Sequence, residues 1–305
     1  MSQYPLVSIV TVNYNQSAAT CDMLESLYAS GYPNMEVWVV DNASPSDTPE
    51  MIQKKFPQVF FIQSGRNLGF AGGNNVAIRQ AKGDYLYLIN NDTVVPHGHI
   101  EQLVSVVASD TSIGVVCPKI KFHATPDIIQ FAGYTEMTPY SFRNKCLGYG
   151  EHDVGQYDRI CDSASAHGAA MMLKREVVEK TGLMNEHYFL YYEELDWSAR
   201  IKKAGYRIVY VPDTYILHKE SLSTGKSSLL QTYYLNRNRV LFTRCTATGR
   251  KKIIGVLYQM LIAMPKNFFV ELVHGQIKRS LAILKAWWWN VKNIGNSQLC
   301  SFDHI

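Results

Sequence analysis

The sequence has no Cys-x-x-Cys pair, and its six cysteines (Cys21, Cys117, Cys146, Cys161, Cys245 and Cys300) are scattered through 305 residues. Without a disulfide framework, and with no apolar signal segment ahead of Val7, they read as reduced thiols in a cytoplasmic protein. Gly-x-Gly-x-x-Gly and Gly-Lys-Ser/Thr are also absent, which removes a dinucleotide fingerprint and a P-loop. No segment repeats and none is of low complexity. Long apolar runs are missing too. The uncharged stretch between Lys252 and Lys266 falls short of the roughly 20 residues needed to cross a bilayer.

Positive charge is scarce outside one segment. The formal net charge is +4, yet residues 250–294 hold eight basic side chains (Arg250, Lys251, Lys252, Lys266, Lys278, Arg279, Lys285 and Lys292) against a single acid, Glu271. Taking these from the 30 basic and 26 acidic residues leaves 22 against 25 elsewhere, a net-negative body. Nucleic acid is thereby excluded as a partner, since phosphate contacts need a basic face.

What is present is ordinary for a globular chain: 47% hydrophobic and 18% charged residues, enough for one large domain or two modest ones. Apolar, β-branched runs at 6–12, 35–40, 59–62 and 85–89 alternate with helix-like stretches such as 18–29 and 74–81. That alternation predicts βαβ units and an α/β fold with a largely parallel sheet and helices on both faces. The first, second and fourth runs stop on Asn13-Tyr14-Asn15, Asp41-Asn42-Ala43-Ser44 and Asn90-Asn91-Asp92. Polar side chains therefore gather at the carboxyl edge of the sheet, where open α/β folds bind ligands. Residues 117–166 are irregular, as a substrate-shaping insertion or a set of surface loops would be. Order returns at 168–174, a helix-like 193–204 and a strand-like 206–211 that ends at Pro212.

After about Arg239, apolar residues recur at helical spacing: Ile253, Leu257, Met260, Leu261 and Met264, then beyond Pro265 Phe268, Phe269, Leu272 and Val273, and later Ile277, Leu281, Leu284 and Trp288. Basic amphipathic helices carrying Trp287-Trp288-Trp289 suit a membrane interface, where indoles favour the headgroup level and lysine stems snorkel. Packing on the catalytic body is the competing reading.

Chemistry concentrates in ordered blocks. Arg66-Asn67-Leu68-Gly69-Phe70-Ala71-Gly72-Gly73-Asn74 follows a strand and opens a helix, a place where glycines admit a ligand and the helix N-terminus attracts phosphate. The other blocks are Val7 to Asn15, Asp41 to Ser44, Leu88 to Pro96, Gly168 to Lys174, Phe189 to Arg200, His218, and Tyr233 to Asn238. In this order they resemble the family 2 glycosyltransferases of the GT-A fold, particularly the bacterial rhamnosyltransferase-like members. The resemblance covers roughly residues 5 to 240. It implies a GT-A domain over 1–240, with a donor half over about 1–115 and an acceptor half over about 116–240, followed by a basic amphipathic helical region over 241–305.

The resemblance further implies a nucleotide-sugar site. Thr11, Asn13 and Asn15 would line the nucleoside pocket, Asp41 would accept the base N–H, and Arg66, Asn67 and Gly69 would border base and ribose. Read from the residues alone, each suits a turn or cap role equally well. Asn91 and Asp92 fall where relatives carry an Asp-x-Asp metal motif, with Asn90 replacing the first acid. Asp92 and His218 would then hold Mg²⁺ or Mn²⁺, imidazole suiting Mn²⁺ better. Glu193, Glu194 and Asp196 are the densest acids in the chain; Glu194 is the implied base of an inverting transfer and Asp196 its reserve. Acids complementing a helix dipole are the plainer reading. Arg237 either grips the diphosphate or simply begins the basic segment.

Together these imply an inverting glycosyltransferase at the cytoplasmic face of the cell membrane, peripheral on an anionic surface. It would move L-rhamnose from dTDP-L-rhamnose onto a polyprenyl-diphosphate-linked glycan precursor in O-antigen, capsule or cell-wall synthesis. The alternatives are a UDP-hexose or UDP-N-acetylhexosamine transferase and a catalytically silent membrane-associated scaffold. A processive synthase is disfavoured, there being no Gln-x-x-Arg-Trp motif.

Overall fold

The computed structural model describes residues 4–219 and 228–304. The N-terminal half alternates as expected: β1 (Val7–Asn13), α1 (Ser17–Ala29), β2 (Met35–Asp41), α2 (Glu50–Lys55), β3 (Phe60–Gln63), α3 (Gly69–Ile78) and β4 (Tyr85–Ile89). Strands β1, β2 and β4 are almost wholly buried, as apolar runs covered on both faces must be. β5 (Thr93–Val94), α4 (His99–Ser109), β6 (Ile113–Phe122), β7 (Ile129–Phe131), β8 (Cys161–Asp162), β9 (Ala170–Lys174) and α5 (Arg175–Thr181) follow.

Among the described residues one sheet runs β3-β2-β1-β4-β9-β6, then β10 (Arg207–His218, after α6, Glu193–Lys203) and β5. The pairs β1–β2, β1–β4, β2–β3 and β6–β10 are parallel, whereas β9 enters antiparallel between β4 and β6. Parallel pairing predominates, with β9 and the short β5, β7 and β8 as antiparallel members. Because β9 runs the other way, its start lies at the carboxyl end of β4, where the Asn90 N–H donates to the Ala169 carbonyl (2.9 Å).

β10 does not end at Pro212. Its register with β6 shifts between Val211 and Tyr215, and the strand then continues to His218. Proline cannot donate to the ladder, and a bulge accommodates it. This extension brings His218 opposite Thr93.

The irregular middle is fastened by charge. Buried Lys119 on β6 contacts Asp153 (2.9 Å) and Asp158 (2.6 Å), and Lys121 reaches Asp153 (2.8 Å).

The C-terminal part comprises α7 (Leu229–Thr246), α8 (Gly249–Tyr258), α9 (Met264–Val273) and α10 (Ile277–Lys292). A π-helical turn over Gln259–Ala263 joins α8 to α9, so the helix passes through Pro265 instead of breaking there. Two expectations change as a result. The continuous helix Gly249–Val273 is long and apolar enough to cross a membrane by length and composition. It lies against the body, however, with Val256, Met260, Met264 and Phe268 packed on Val240, Ile283 and Ala286. The opposite stripe, including Ile253, Leu257, Leu261, Phe269 and Val273, is exposed.

After α10 the chain turns back beneath α6. Cys300 is joined to Cys245 in a disulfide, so these two are not the free thiols expected from sequence; a pairing across 55 residues leaves no local spacing signal. Asn185 Nδ2 donates to the Leu299 carbonyl (2.9 Å), the Leu183 N–H to the Asp303 carbonyl (2.7 Å), and the Phe302 ring lies 3.9 Å from the Arg200 guanidinium.

Candidate active site

A cavity of about 420 Å³ opens along the carboxyl edge of the sheet. Its wall is formed by Val12, Tyr14, Asn42, Asn67 and Gly69, by Asn90, Asn91, Asp92, Gln130 and His218, and by His167, Gly168, Tyr191, Glu193 and Glu194.

Thr11, Asn13 and Asp41 were expected to line the cavity, but Val12 on β1 and Tyr14 and Asn42, just past the ends of β1 and β2, line it instead. Asn13 turns toward α1, accepting from Thr20 Oγ1 (2.9 Å) and donating to Asp41 Oδ1 (2.8 Å), while Asn91 Nδ2 donates to Thr20 Oγ1 (2.9 Å). Thr11, two residues before it, is fully buried. This polar chain ties β2, β1 and α1 to the Asn90–Asp92 turn beneath the cavity floor. Asn15, at φ 55°, takes a similar supporting part, its N–H donating to Ser44 Oγ (2.8 Å) and its Oδ1 accepting from the Ser46 N–H (3.0 Å).

Asn42, one residue past Asp41, latches the loop opposite. Its Nδ2 donates to Asn67 Oδ1 (3.1 Å) and the Gly69 carbonyl (3.0 Å), and its Oδ1 accepts from the Leu68 N–H (2.9 Å). Gly69 is required here: it sits at φ +71°, and a Cβ would lie 2.1 Å from the Phe189 carbonyl oxygen. Arg66 is exposed and does not line the cavity.

His218 Nδ1 donates to Gln130 Oε1 (2.9 Å), which turns Nε2 toward the strand end. Asn90 Nδ2 lies 3.3 Å and Asp92 Oδ1 3.1 Å from that nitrogen. Asp92 Oδ1 is buried with no hydrogen-bond partner. A carboxylate oxygen and an imidazole nitrogen side by side in the wall of a polar cavity fit a divalent cation that takes its remaining ligands from phosphate and water. Gln130 fixes the imidazole, and nothing in the irregular sequence around it marks that role.

Glu193, Glu194 and Asp196 occupy the first turn of α6, and Arg200, Lys202 and Lys203 its last, in the order the helix dipole favours. Glu193 and Glu194 line the cavity. Burial pushes the Glu194 carboxyl from 4.5 up to about 7. Burial, with the neighbouring Glu194 charge, holds Glu193 well above the usual carboxylate range, and Glu193 Oε2 has no partner. Asp196 points elsewhere: it pairs with Arg200 (3.0 Å) and accepts from the Tyr188 hydroxyl (3.3 Å). Its place as reserve base is corrected accordingly, since those partners hold the carboxylate away from the cavity wall.

The turn leading into these acids is strained. Phe189, Tyr191 and Tyr192 have φ of 64°, 66° and 78°, a left-handed conformation that costs non-glycine residues about 1–3 kcal/mol each. It is held from α7. Asn238 Nδ2 donates to the carbonyls of Tyr188 (3.0 Å), Leu190 (2.8 Å) and Tyr191 (2.8 Å), and Arg237 Nη2 to that of Tyr188 (2.8 Å). The Arg237 guanidinium is also stacked near Tyr234 (4.7 Å) and Trp289 (4.6 Å). Arg237 therefore positions the acid-bearing turn and does not reach the cavity, contrary to the expected grip on a diphosphate.

The sequence model of glycosyl transferase family 2 matches residues 8–181. Over 240 residues the chain is 26% identical to the low-salt glycan biosynthesis hexosyltransferase Agl10 of Haloferax volcanii, covering 77% of this chain and 74% of that protein. Over 242 residues it is 25% identical to the N-acetylglucosaminyl-diphospho-decaprenol L-rhamnosyltransferase of Mycobacterium tuberculosis, covering 72% and 78% respectively. Among solved structures, the mannosyltransferase PcManGT of Pyrobaculum calidifontis, in complex with GDP-Man and Mn²⁺, superposes with a TM-score of 0.58 at 16% identity, covering 95% of this chain and 81% of that one. S. aureus TarS 1–349 in complex with UDP-GlcNAc gives 0.60 at 16% identity, covering 92% and 79%. The shared fold is GT-A.

Proposed function

From the chain's membership of glycosyl transferase family 2, we propose that it is an inverting transferase that moves L-rhamnose from dTDP-L-rhamnose onto a polyprenyl-diphosphate-linked glycan precursor. The observation that carries this reading is that one cavity is lined by Glu194, by the Asp92–His218 pair, and by Asn42, Asn67 and Tyr14. Glu194, as carboxylate, takes the proton of the acceptor hydroxyl. That oxygen bonds to the anomeric carbon from the face opposite the donor diphosphate, and the bond from carbon to diphosphate oxygen breaks, releasing the nucleoside diphosphate. Asp92 and His218 would hold Mg²⁺ or Mn²⁺, which supplies charge neutralisation of the departing diphosphate. Burial keeps His167 in the cavity wall neutral, its pKa lowered to about 3, so it adds no competing cation.

Rhamnose is supported by the mycobacterial relative, whose name specifies both that sugar and a decaprenol-linked acceptor. The TarS complex with UDP-GlcNAc favours a second reading, in which the donor is UDP-linked. A silent scaffold is disfavoured, because a protein without turnover has no use for a buried, unpartnered Glu193 oxygen and a raised Glu194 beside a strained turn. The exposed apolar stripe on α8 and α9, flanked by Arg250, Lys251, Lys252 and Lys266, supports peripheral docking on the anionic inner face of the membrane. The Cys245–Cys300 disulfide is uncommon in a reducing compartment, and a thiol count on protein isolated from the cytoplasm tests that placement.

The deciding experiment incubates dTDP- and UDP-sugars with a polyprenyl-diphosphate-linked glycan, with and without Mn²⁺, and scores nucleotide release. Release from dTDP-rhamnose alone is expected. Release from a UDP-sugar alone moves the assignment to the second reading, and release from none refutes both.

A further inference from the structure

A second cavity of about 270 Å³ lies between α7 and the α8–α9 helix, lined by Arg143, Tyr192, Leu235, Asn236, Arg239, Val240, Gln259, Ala263, Met264 and Asn267. Its charge is unbalanced. Arg239 is buried at 9% exposure, and its Nε and Nη2 donate to the Ser141 carbonyl (3.1 and 2.6 Å). Neither Arg239 nor the exposed Arg143 pairs with a carboxylate among the described residues. Burial disfavours the Arg239 charge, and the Arg143 charge adds to that. A buried guanidinium with no acid beside it is a costly arrangement unless an anion completes it.

The rest of the wall mixes Leu235, Val240, Ala263 and Met264 with Tyr192, Asn236, Gln259 and Asn267. Leu235, Asn236 and Asn267 are shared with an adjoining cavity of about 250 Å³, also lined by Gln231, Thr232, Val270 and Ile283. Its acid, Glu271, is already paired with Arg279 (2.9 Å). Inward, Tyr192 lines the second cavity while Tyr191, Glu193 and Glu194 line the first, so the strained turn is the partition between them.

We infer that this groove binds an isoprenoid diphosphate, the anchor of the lipid-linked acceptor, with its diphosphate on Arg239 and Arg143 and its alkyl chain along Leu235, Val240, Met264 and Val270. The assignment rests on the lipid-linked acceptor of the proposed function and adds where that lipid is held. Guanidinium forks match phosphate oxygens, and the alkyl chain covers the apolar side chains among the lining residues. Buried Gln259, whose Oε1 has no partner, is available to a hydroxyl of the sugar that the diphosphate carries.

The test measures binding of farnesyl diphosphate, inorganic pyrophosphate and farnesol to the full chain, with the nucleoside diphosphate plus Mn²⁺ as control. Farnesyl diphosphate should bind at least about tenfold more tightly than either fragment. Arg143→Gln, an exposed change that spares the fold, should weaken it by about tenfold, and Arg143→Gln with Arg239→Gln by about 100-fold, the span expected for charged hydrogen bonds. Control binding should stay within about twofold. Unchanged farnesyl diphosphate affinity in Arg143→Gln and the double variant overturns the assignment, as does a loss that extends equally to the nucleotide. If no nucleotide sugar binds or turns over but the arginine-dependent lipid affinity is present, the proposed function fails while the groove stands.

Discussion

Replacing Glu194 by Gln keeps the shape of the cavity wall and removes one ionisable group, so it isolates the proposed proton acceptor. A general base contributes about 10²–10⁴-fold to turnover, and a loss in that range is expected while nucleotide affinity is retained. The pH dependence supplies an independent check. With the carboxyl raised from 4.5 to about 7, the parent rate should rise about tenfold per pH unit below neutrality and level off above it, whereas residual Gln turnover should lack that limb. Stability should move the other way. A pKa raised in the folded state contributes stability that is fully present below 4.5 and is lost as pH rises through about 7. At about 1.4 kcal/mol per pH unit, and discounting for the partial exposure of Glu194, ionisation costs the fold on the order of 1–2 kcal/mol at pH 8. The Gln variant should therefore unfold at higher denaturant than the parent at pH 8, with the gap closing toward pH 4.5. Stopped transfer assays and urea melts across pH 4.5–8.5 read both effects. Retained turnover in Glu194→Gln, combined with loss in Asp196→Asn, would refute this reasoning and return the base to Asp196.

Three further outcomes are expected. Asp92→Asn and His218→Ala should each weaken Mn²⁺-dependent nucleotide binding by about 10- to 100-fold, read by titration calorimetry, with little change in metal-free binding. Asn238→Ala, which frees the carbonyls of residues 188, 190 and 191, should cut kcat by about 10- to 100-fold while donor affinity changes less than threefold, because the lost geometry lies on the acid side. Leu261→Glu with Phe269→Glu, both on the exposed stripe, should reduce co-sedimentation with anionic vesicles by at least about tenfold without changing turnover of a short soluble acceptor; unchanged sedimentation counts against interfacial docking.

The alternation of apolar runs with helical segments made the donor half legible, because each strand had to be buried on two faces and each polar terminus then fell at one edge. Periodicity revealed less about direction. β9 reads as any buried apolar run, and nothing in Ala170–Lys174 says that it enters antiparallel. The candidate site was legible where function needs a particular residue type at a strand or helix end, as with Asp92, His218, Glu194 and Gly69. It was obscured where orientation decides. Thr11, Asn13 and Asp41 lie one residue away from the side chains that face the cavity, and Arg237 has a guanidinium suited to phosphate but is consumed by backbone carbonyls. Gln130 sits on a three-residue strand in an aperiodic stretch, and only the fold brings it 2.9 Å from His218.

The return of residues 299–303 beneath α6 has a consequence for the order in which the protein is made. The Leu183 and Asn185 backbone and side-chain groups that frame the turn before Glu193 find their partners in Asp303 and Leu299, and the same turn is held from above by Asn238. A ribosome delivers β1 to β4 first, and the acid-bearing turn has all its braces only when residue 303 has emerged. The parts of the cavity wall are therefore completed at different times, the strand ends early and the buried acids late.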